Sequence, residues 1–196
     1  MNTLFETIRL NTNYLVFTSE KPVSNFVLDD ATFLKIWDLH PEEYHIVKIH
    51  GKEIPTPRWQ QAYGKNYRYT GSKNNALPIP DILKVFLEWS QENIDERLNG
   101  LLLNWYDGLK NHYIGAHRDS TKDLQEGSPI VTISLGEERV FRMRPYKNKG
   151  FKDIEIRNGN VIVVPWNTNQ HWTHEVPHFK KYSGKRISIT LRAYSE

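Results

Sequence analysis

From residue 99 onward the chain is a series of short apolar runs separated by Gly, Pro and Asn, and this pattern constrains the fold most strongly. Runs of strand length that follow an opening section of helical character indicate two packed antiparallel sheets. We therefore predict an α+β fold with a jelly-roll core at about residues 98–194 and N-terminal helices on its surface. The predicted strands cover residues 100–106, 128–136, 139–145, 151–157, 160–166, 171–177 and 186–194.

The section before residue 99 contains helical, extended and irregular patterns. Residues 29–41 and 79–98 have apolar side chains at helical spacing, which predicts a helix in each. Residues 44–55 alternate as a strand does, with Gly51 at a turn. Residues 56–78 are rich in Gly, Pro, Asn and Tyr, and we predict a long irregular loop, a type of segment that usually has a function in a compact domain.

Composition excludes several classes of protein and site. With 196 residues, 38% of them hydrophobic and 25% charged, the chain is typical of a folded single domain over residues 1–196. It has no cysteine, so any metal must be bound by His, Asp or Glu. The first residues lack the apolar run of a signal peptide, and no stretch approaches the roughly 20 apolar residues of a membrane span. We expect an intracellular protein, cytoplasmic or nuclear, that is a monomer and has no membrane partner.

The charges are unevenly distributed along the chain. Residues 1–138 contain 14 Lys and Arg against 19 Asp and Glu, whereas residues 139–192 contain 12 against three. A basic C-terminal half is typical of proteins that bind a polyanion such as nucleic acid. A solvated basic face is the alternative interpretation, and the composition does not distinguish the two.

His117 and Asp119 form a His-x-Asp motif just after an early predicted strand. This motif occurs by chance in many chains, but a non-haem iron site requires two neutral imidazoles and one carboxylate. The segment 171–177 offers His171 and His174 as the second imidazole. Because residues three apart on a strand point to opposite faces, at most one of them faces inward, and the spacing does not choose between them.

Arg186 and Arg192 lie six residues apart in the last predicted strand, so they share one face. Two arginines are costly to bury unless an anion meets them. The planar guanidinium pairs well with a carboxylate, and a dicarboxylate co-substrate requires such a partner. The alternative is an exposed strand face with two solvated arginines.

Five short motifs occur in one order at compatible spacings. They are NWY at 104–106, HRD at 117–119, GSPIVTISLG at 127–136, HWTHEVP at 171–177 and RISITLR at 186–192. Together they resemble the AlkB family of iron(II)- and 2-oxoglutarate-dependent dioxygenases, especially the animal-type members that repair alkylated DNA bases. The resemblance covers roughly residues 45–194 and implies a double-stranded β-helix core.

The resemblance implies a role for each matching residue. His117, Asp119 and His174 match the iron(II) ligands, and with 2-oxoglutarate and O2 they would form the catalytic centre. The matching 2-oxoglutarate-binding residues are Arg186 for the distal carboxylate, Arg192 for the other end, and Asn104, Tyr106 and Ser188 for further hydrogen bonds. Taken alone, Asn104 and Tyr106 are equally typical of a buried polar pair on a strand.

The resemblance also extends to a nucleotide-recognition lid at about residues 44–78, in which aromatic residues stack on an extruded base. The matching substrate-binding residues are Arg58, Tyr67 and Tyr69 in the lid pocket and His50 and Gly51 in a duplex-probing hairpin. A tyrosine-rich surface loop packed by its own aromatic side chains is the alternative.

Three positions depart from the family pattern. Ser120 and Thr121 follow Asp119, where the DNA-repair members usually have acidic residues. His50 precedes Gly51 in place of an apolar or aromatic wedge, and Ser188 stands where Asn is usual.

The predicted function is oxidative dealkylation of N-alkylated bases such as 1-methyladenine or 3-methylcytosine, with DNA as the favoured partner and RNA as a second possibility. The departures keep two alternatives open: an oxygenase for RNA, protein or a small molecule, and a non-catalytic nucleic-acid-binding domain with a relict site.

Overall fold

The structure is a computed structural model that describes residues 4–69 and 72–195, and the side chain of Tyr69 lies outside the described part. Its helices are a short 3-10 helix at Ser24–Phe26 and the α-helices α1 (Asp30–Trp37), α2 (Asp81–Asn93) and α3 (Trp166–His171). Its strands are β1 (Phe5–Arg9), β2 (Leu15–Ser19), β3 (Ile46–Ile49), β4 (Lys52–Pro55), β5 (Trp59–Tyr63), β6 (Tyr67–Tyr69), β7 (Ser72–Asn74), β8 (Gly100–Asp107), β9 (Ile114–His117), β10 (Ile130–Gly136), β11 (Arg139–Pro145), β12 (Lys152–Ile156), β13 (Val161–Val164), β14 (Trp172–Val176) and β15 (Lys185–Arg192).

A large and a small antiparallel sheet face each other in the described part of the chain. The large sheet has the order β1-β2-β13-β10-β15-β8-β5, and the small sheet has the order β12-β11-β14-β9. One apolar cluster draws Ile130 and Ile162 from the large sheet and Met143 and Ile156 from the small sheet, so these faces are packed together. Neighbouring strands come from distant parts of the sequence, as the predicted jelly roll requires.

The other face of the large sheet is covered by α1 and α2. Leu103 and Trp105 of β8 pack in one cluster with Phe86 of α2, and Ile189 of β15 lies in the same cluster. The indole Nε1 of Trp105 donates a hydrogen bond of 3.0 Å to the carbonyl oxygen of Ile36 in α1. Because side chains alternate along a strand, the remaining residues of β8 and β15 point into the space between the sheets.

Both predicted helices are confirmed, but each is shorter than its pattern indicated. Asp29 caps α1 by accepting a 2.7 Å hydrogen bond from the Thr32 amide, and Asp38 ends the helix. In α2 the backbone leaves the helical region at Ile94, with φ of −128° and ψ of −62°. Apolar residues beyond these points suggested longer helices because they continue to face the same core.

The prediction of an irregular loop at residues 56–78 is wrong, because this segment contains strands β5, β6 and β7. β5 is the edge strand of the large sheet and pairs with β8. Its burial on both faces, including the polar side chain of Gln60, hid the usual alternation of a strand. β6 and β7 pair as a separate hairpin.

The sequence patterns also missed β1, β2, β9 and α3. β1 and β2 extend the large sheet next to β13. The hairpin β3–β4 turns at His50 and Gly51, both with positive φ, which fits a two-residue turn and confirms the predicted turn at Gly51. Among the described residues, no helix has the length and apolar character needed to cross a lipid bilayer.

Candidate metal and co-substrate site

The structure brings His117 and His174 side by side. They are direct register partners on β9 and β14, and their ring centroids are 4.3 Å apart. His174 is buried, whereas His171 is the last residue of α3, lies exposed and stacks on Tyr14. Of the two, only His174 faces inward, but the reason differs from the expected strand alternation, because His171 belongs to α3 and not to the strand.

Asp119 follows β9 by two residues and is buried next to these histidines. Its Oδ1 accepts a 2.7 Å hydrogen bond from the Arg192 guanidinium, and its backbone N and O are both paired with the Asn169 side chain at 3.0 Å. Burial acts to raise the pKa of Asp119, but Arg192 and then the two imidazoles outweigh it, and the pKa falls to about 2. The group is a carboxylate at neutral pH.

The donor chemistry of this cluster fits a non-haem iron(II) ion. Burial lowers the pKa of both His117 and His174, so both rings are neutral at pH 7. His117 Nδ1 lies 2.9 Å from the carbonyl oxygen of Gly115, the kind of contact that orients a ligating imidazole. Two neutral imidazoles and one carboxylate are the donor set that such an iron requires.

Two buried atoms of the cluster have no hydrogen-bond partner in the described part of the chain: Asp119 Oδ2 and His174 Nδ1. Buried polar atoms are normally paired, so a missing ligand is a physical reason for both. No group of three His, Cys, Asp or Glu side chains within residues 4–69 and 72–195 is already arranged to hold a metal ion.

The two arginines of β15 face inward and are buried, which confirms that they share a face and rules out the solvated alternative. Arg186 and Arg192 are 1% and 3% exposed. Arg186 Nε donates to Ser134 Oγ at 2.9 Å, while its NH1 is buried without a partner in the described residues. Burial lowers the pKa of Arg186 to about 10, so the group keeps its charge at pH 7. No anionic side chain within residues 4–69 and 72–195 pairs with this buried cation.

Arg192, at the other end of β15 from Arg186, lies next to Asp119. Burial opposes its charge, but the adjacent Asp119 carboxylate raises the pKa of Arg192 above its ordinary value. Its Nε and NH1 atoms have no hydrogen-bond partner among the described residues. Arg192 therefore has donors left for a ligand after its pairing with Asp119.

A cavity lies between the sheets at this point. The predicted co-substrate residues Asn104, Tyr106, Arg186, Ser188 and Arg192 all line it, together with His117 and His174. The Arg186 guanidinium lies 5.1 Å from the centroid of the Tyr106 ring. Buried cations and polar side chains converging on one cavity can bind an organic dianion.

The predicted lid residues are divided between the cavity and the surface. Arg58 and Tyr67 line the cavity and are buried. The Tyr67 hydroxyl lies 3.5 Å from Asp119 Oδ1, and burial, followed by the nearby Asp119, raises the pKa of Tyr67 well above its ordinary value. His50 and Gly51 lie at the exposed turn of the β3–β4 hairpin and are not part of the cavity lining.

Sequence reasoning missed three polar residues of this region. Ser134 bonds Arg186, Asn169 bonds Asp119, and Gln60 accepts a hydrogen bond from Arg58. Ser134 had a detectable signal, because it is a polar residue at an inward position of an apolar strand. Asn169 had none, because its contact depends on a helix that the sequence did not indicate.

Comparison with known proteins identifies related chains. A family model described as the 2OG-Fe(II) oxygenase superfamily matches residues 36–192. Mouse DNA oxidative demethylase ALKBH2 is 29% identical over 157 residues, covering 74% of this chain and 65% of that protein. For human DNA oxidative demethylase ALKBH2 the identity is also 29%, and the coverage is 74% and 60%.

A mouse protein named alpha-ketoglutarate-dependent dioxygenase alkB homolog 3 is 29% identical over 154 residues, covering 70% of this chain and 52% of that protein. The chain thus matches between about half and two thirds of the length of these relatives. The solved structure of OsALKBH1 has a TM-score of 0.61 at 17% identity, covering 96% of this chain and 100% of that one, which is a likeness of fold.

These matches confirm the resemblance to AlkB-type proteins and the jelly-roll fold. The predicted enzyme class and the predicted iron(II), 2-oxoglutarate and O2 are confirmed at the level of the family. Because the family model matches most of its length, the chain belongs to the 2OG-Fe(II) oxygenase superfamily.

Proposed function

We propose that the chain is an oxidative dealkylase of N-alkylated nucleobases in DNA, coupled to decarboxylation of 2-oxoglutarate. The observation that carries this proposal is the cavity between the sheets, where two neutral histidines and an ionised aspartate adjoin two buried arginines. Few other ligands than a divalent metal together with an organic anion satisfy both sets of groups. The relatives named as DNA oxidative demethylases support nucleic acid as the substrate.

In this proposal His117, Asp119 and His174 hold iron(II), and Arg186 pairs with the distal carboxylate of 2-oxoglutarate. When bound, iron(II), 2-oxoglutarate and O2 would supply the oxidation that hydroxylates an N-methyl group, and the resulting hemiaminal would release formaldehyde and the unmodified base. Arg192 keeps Asp119 ionised and oriented through its 2.7 Å hydrogen bond. Tyr67 covers Asp119 from the lid side and limits the access of water to this ligand.

The surface charges support a polyanionic substrate, but only some of the cations of the basic half are free to contact it. Arg142 pairs with Asp153 and Arg144 pairs with Glu175, so these two cations of the basic half are already neutralised. The exposed cations of the same half include Lys147, Lys149, Lys180 and Lys181. We propose that these lysines attract phosphates without reading the sequence.

Turnover with iron(II), ascorbate and 2-oxoglutarate tests the proposal directly. We expect formaldehyde and succinate in equal amounts only when an oligonucleotide with 1-methyladenine or 3-methylcytosine is present. Single-stranded DNA, duplex DNA and RNA carrying the same lesion identify the preferred nucleic acid. Succinate without formaldehyde on every oligonucleotide contradicts the nucleobase substrate. The absence of both products favours a relict site.

A further inference from the structure

A row of polar side chains crosses four neighbouring strands of the large sheet at the cavity. The sheet register makes Gln60 of β5 the partner of Asn104 in β8, Asn104 the partner of Ser188 in β15, and Ser188 the partner of Ser134 in β10. Cross-strand partners lie on the same face of a sheet, so these four side chains form one row. Gln60 is 1% exposed, Asn104 4%, Ser188 5% and Ser134 0%.

An arginine is bonded at each end of this row. Arg186 donates from Nε to Ser134 Oγ at 2.9 Å. At the other end Arg58 donates from Nε to Asn104 Oδ1 at 2.8 Å and from NH2 to Gln60 Oε1 at 3.0 Å. Arg58 itself is 5% exposed, so its guanidinium is committed to the row and not to the surface of the lid.

The bond from Arg58 determines which end of the Asn104 amide faces a ligand. A guanidinium carries only donors, so the amide must turn its oxygen toward Arg58. The Nδ2 group of Asn104 donates no hydrogen bond in the described part of the chain, and Asn104 lines the cavity. Asn104 thus offers the cavity a hydrogen-bond donor, which suits a carboxylate or keto oxygen and disfavours a cation.

We infer that Arg58 is a positioning residue of the co-substrate site, which orients Asn104 to donate to 2-oxoglutarate. This inference rests on the proposed function, because it takes 2-oxoglutarate as the anion in the cavity. It also replaces the expectation that Arg58 contacts the nucleic acid. Without Arg58, the amide can rotate by half a turn and present its oxygen to the carboxylate, which repels it.

The test compares two affinities in variants of the lid arginines. The dissociation constant of 2-oxoglutarate is measured anaerobically on the iron(II)-loaded protein, and that of a methylated oligonucleotide is measured by fluorescence anisotropy. We expect Arg58→Met to weaken 2-oxoglutarate binding about 10- to 100-fold, the range for a lost hydrogen bond to a charged group. Oligonucleotide binding remains unchanged. The control is Arg68→Met, an exposed arginine on β6 that leaves 2-oxoglutarate binding unchanged.

A double-mutant cycle separates positioning from general damage to the fold. If Arg58 acts through Asn104, then Arg58→Met has no further effect on 2-oxoglutarate affinity in an Asn104→Ala background. Arg58→Lys, which retains the charge but not the fork, gives a second variant if Arg58→Met does not fold. Unchanged 2-oxoglutarate affinity in a folded Arg58 variant, or equal losses in both backgrounds, overturns the inference.

The result also distinguishes the inference from the proposed function. A wild-type protein that binds no 2-oxoglutarate with iron(II) overturns both. A wild-type protein that binds it, with Arg58 variants that lose only oligonucleotide affinity, overturns the inference and assigns Arg58 to the nucleic acid.

Discussion

Asp119 is held in place through its backbone as well as its side chain. The Asn169 amide accepts from the Asp119 N–H and donates to the Asp119 carbonyl oxygen, both at 3.0 Å, and Asn169 is 1% exposed. A side-chain amide that satisfies both backbone groups of one residue fixes the direction of the chain there. The orientation of the proposed third iron ligand therefore depends on a residue in α3, the helix that precedes the strand carrying His174.

We expect Asn169→Ala to weaken metal binding about 10- to 100-fold, the usual effect of removing a group that orients a ligand. The physical reason is that the Asp119 backbone loses both bonds and its carboxylate no longer has one fixed direction. Titration of the metal-free protein with cobalt(II), followed by calorimetry, measures this affinity.

Asn167→Ala is the matched control, because Asn167 lies on the same helix with an exposed side chain. Urea unfolding with a chelator present shows how much of the change belongs to the fold. Equal metal affinity in the wild type and Asn169→Ala, or an equal loss in Asn167→Ala, contradicts the positioning role.

At the scale of elements, the apolar strands of the core were predictable from the sequence, whereas β1, β2, β5, β6, β7 and β9 were not. Side chains alternate strictly between the two faces of a strand, so the even separation of Arg186 and Arg192 is enough to put them on one face. The same period places Asn104 and Tyr106 together on β8. The flanking apolar residues then determine which face meets the helices.

Short elements could not be predicted in the same way. β9 has only four residues, too few to show a period, and α3 is mostly polar, so both depend on tertiary contacts such as the pairing of β9 with β14. The bonds from Arg58 to Asn104 and from Asn169 to Asp119 join residues 46 and 50 positions apart. No local pattern contains such pairs, so the supporting residues of the site were missed, whereas the proposed ligands lie in short motifs that the sequence displays.

Gly136, at the end of β10, lies beside Arg186 of the proposed co-substrate site. It ends β10, has φ of +84°, and is the register partner of Arg186. A Cβ at this position would lie within 2.4 Å of the Lys185 carbonyl oxygen, a distance that the backbone must relieve by moving. The β10–β15 pairing next to Arg186 therefore requires glycine.

We expect Gly136→Ala to lower the free energy of unfolding by roughly 1–3 kcal/mol more than Gly150→Ala, the usual cost of overpacking. Gly150 has φ of +98° but nothing within 4 Å of an added Cβ, so it has the backbone strain without the clash. Urea unfolding followed by tryptophan fluorescence measures both variants. Equal destabilisation by the two variants shows that the contact with Lys185 is relieved at no cost.

At the scale of the whole molecule, the fold corrects the simplest interpretation of the basic C-terminal half. Arg142 faces Asp153 across the β11–β12 register and Glu175 across the β11–β14 register. Two of the three acidic residues in this half, Asp153 and Glu175, neutralise Arg142 and Arg144 of β11. The remaining exposed charge lies mainly on lysines of the loops.

The whole molecule also explains why the cavity forms where it does. Apolar side chains fill one part of the space between the sheets, whereas β8, β15, β9 and β14 contribute polar side chains to the other.

The most direct test of the account is an anaerobic calorimetric titration of the metal-free protein with iron(II) and then 2-oxoglutarate.

We expect one equivalent of iron(II) per chain, followed by one equivalent of 2-oxoglutarate that binds with a charge-transfer absorption band. His174→Ala should lose the iron, and Arg186→Met should retain the iron but lose most of the affinity for 2-oxoglutarate. A wild-type protein that binds neither, or variants that bind both as the wild type does, contradicts the assignment of this cavity.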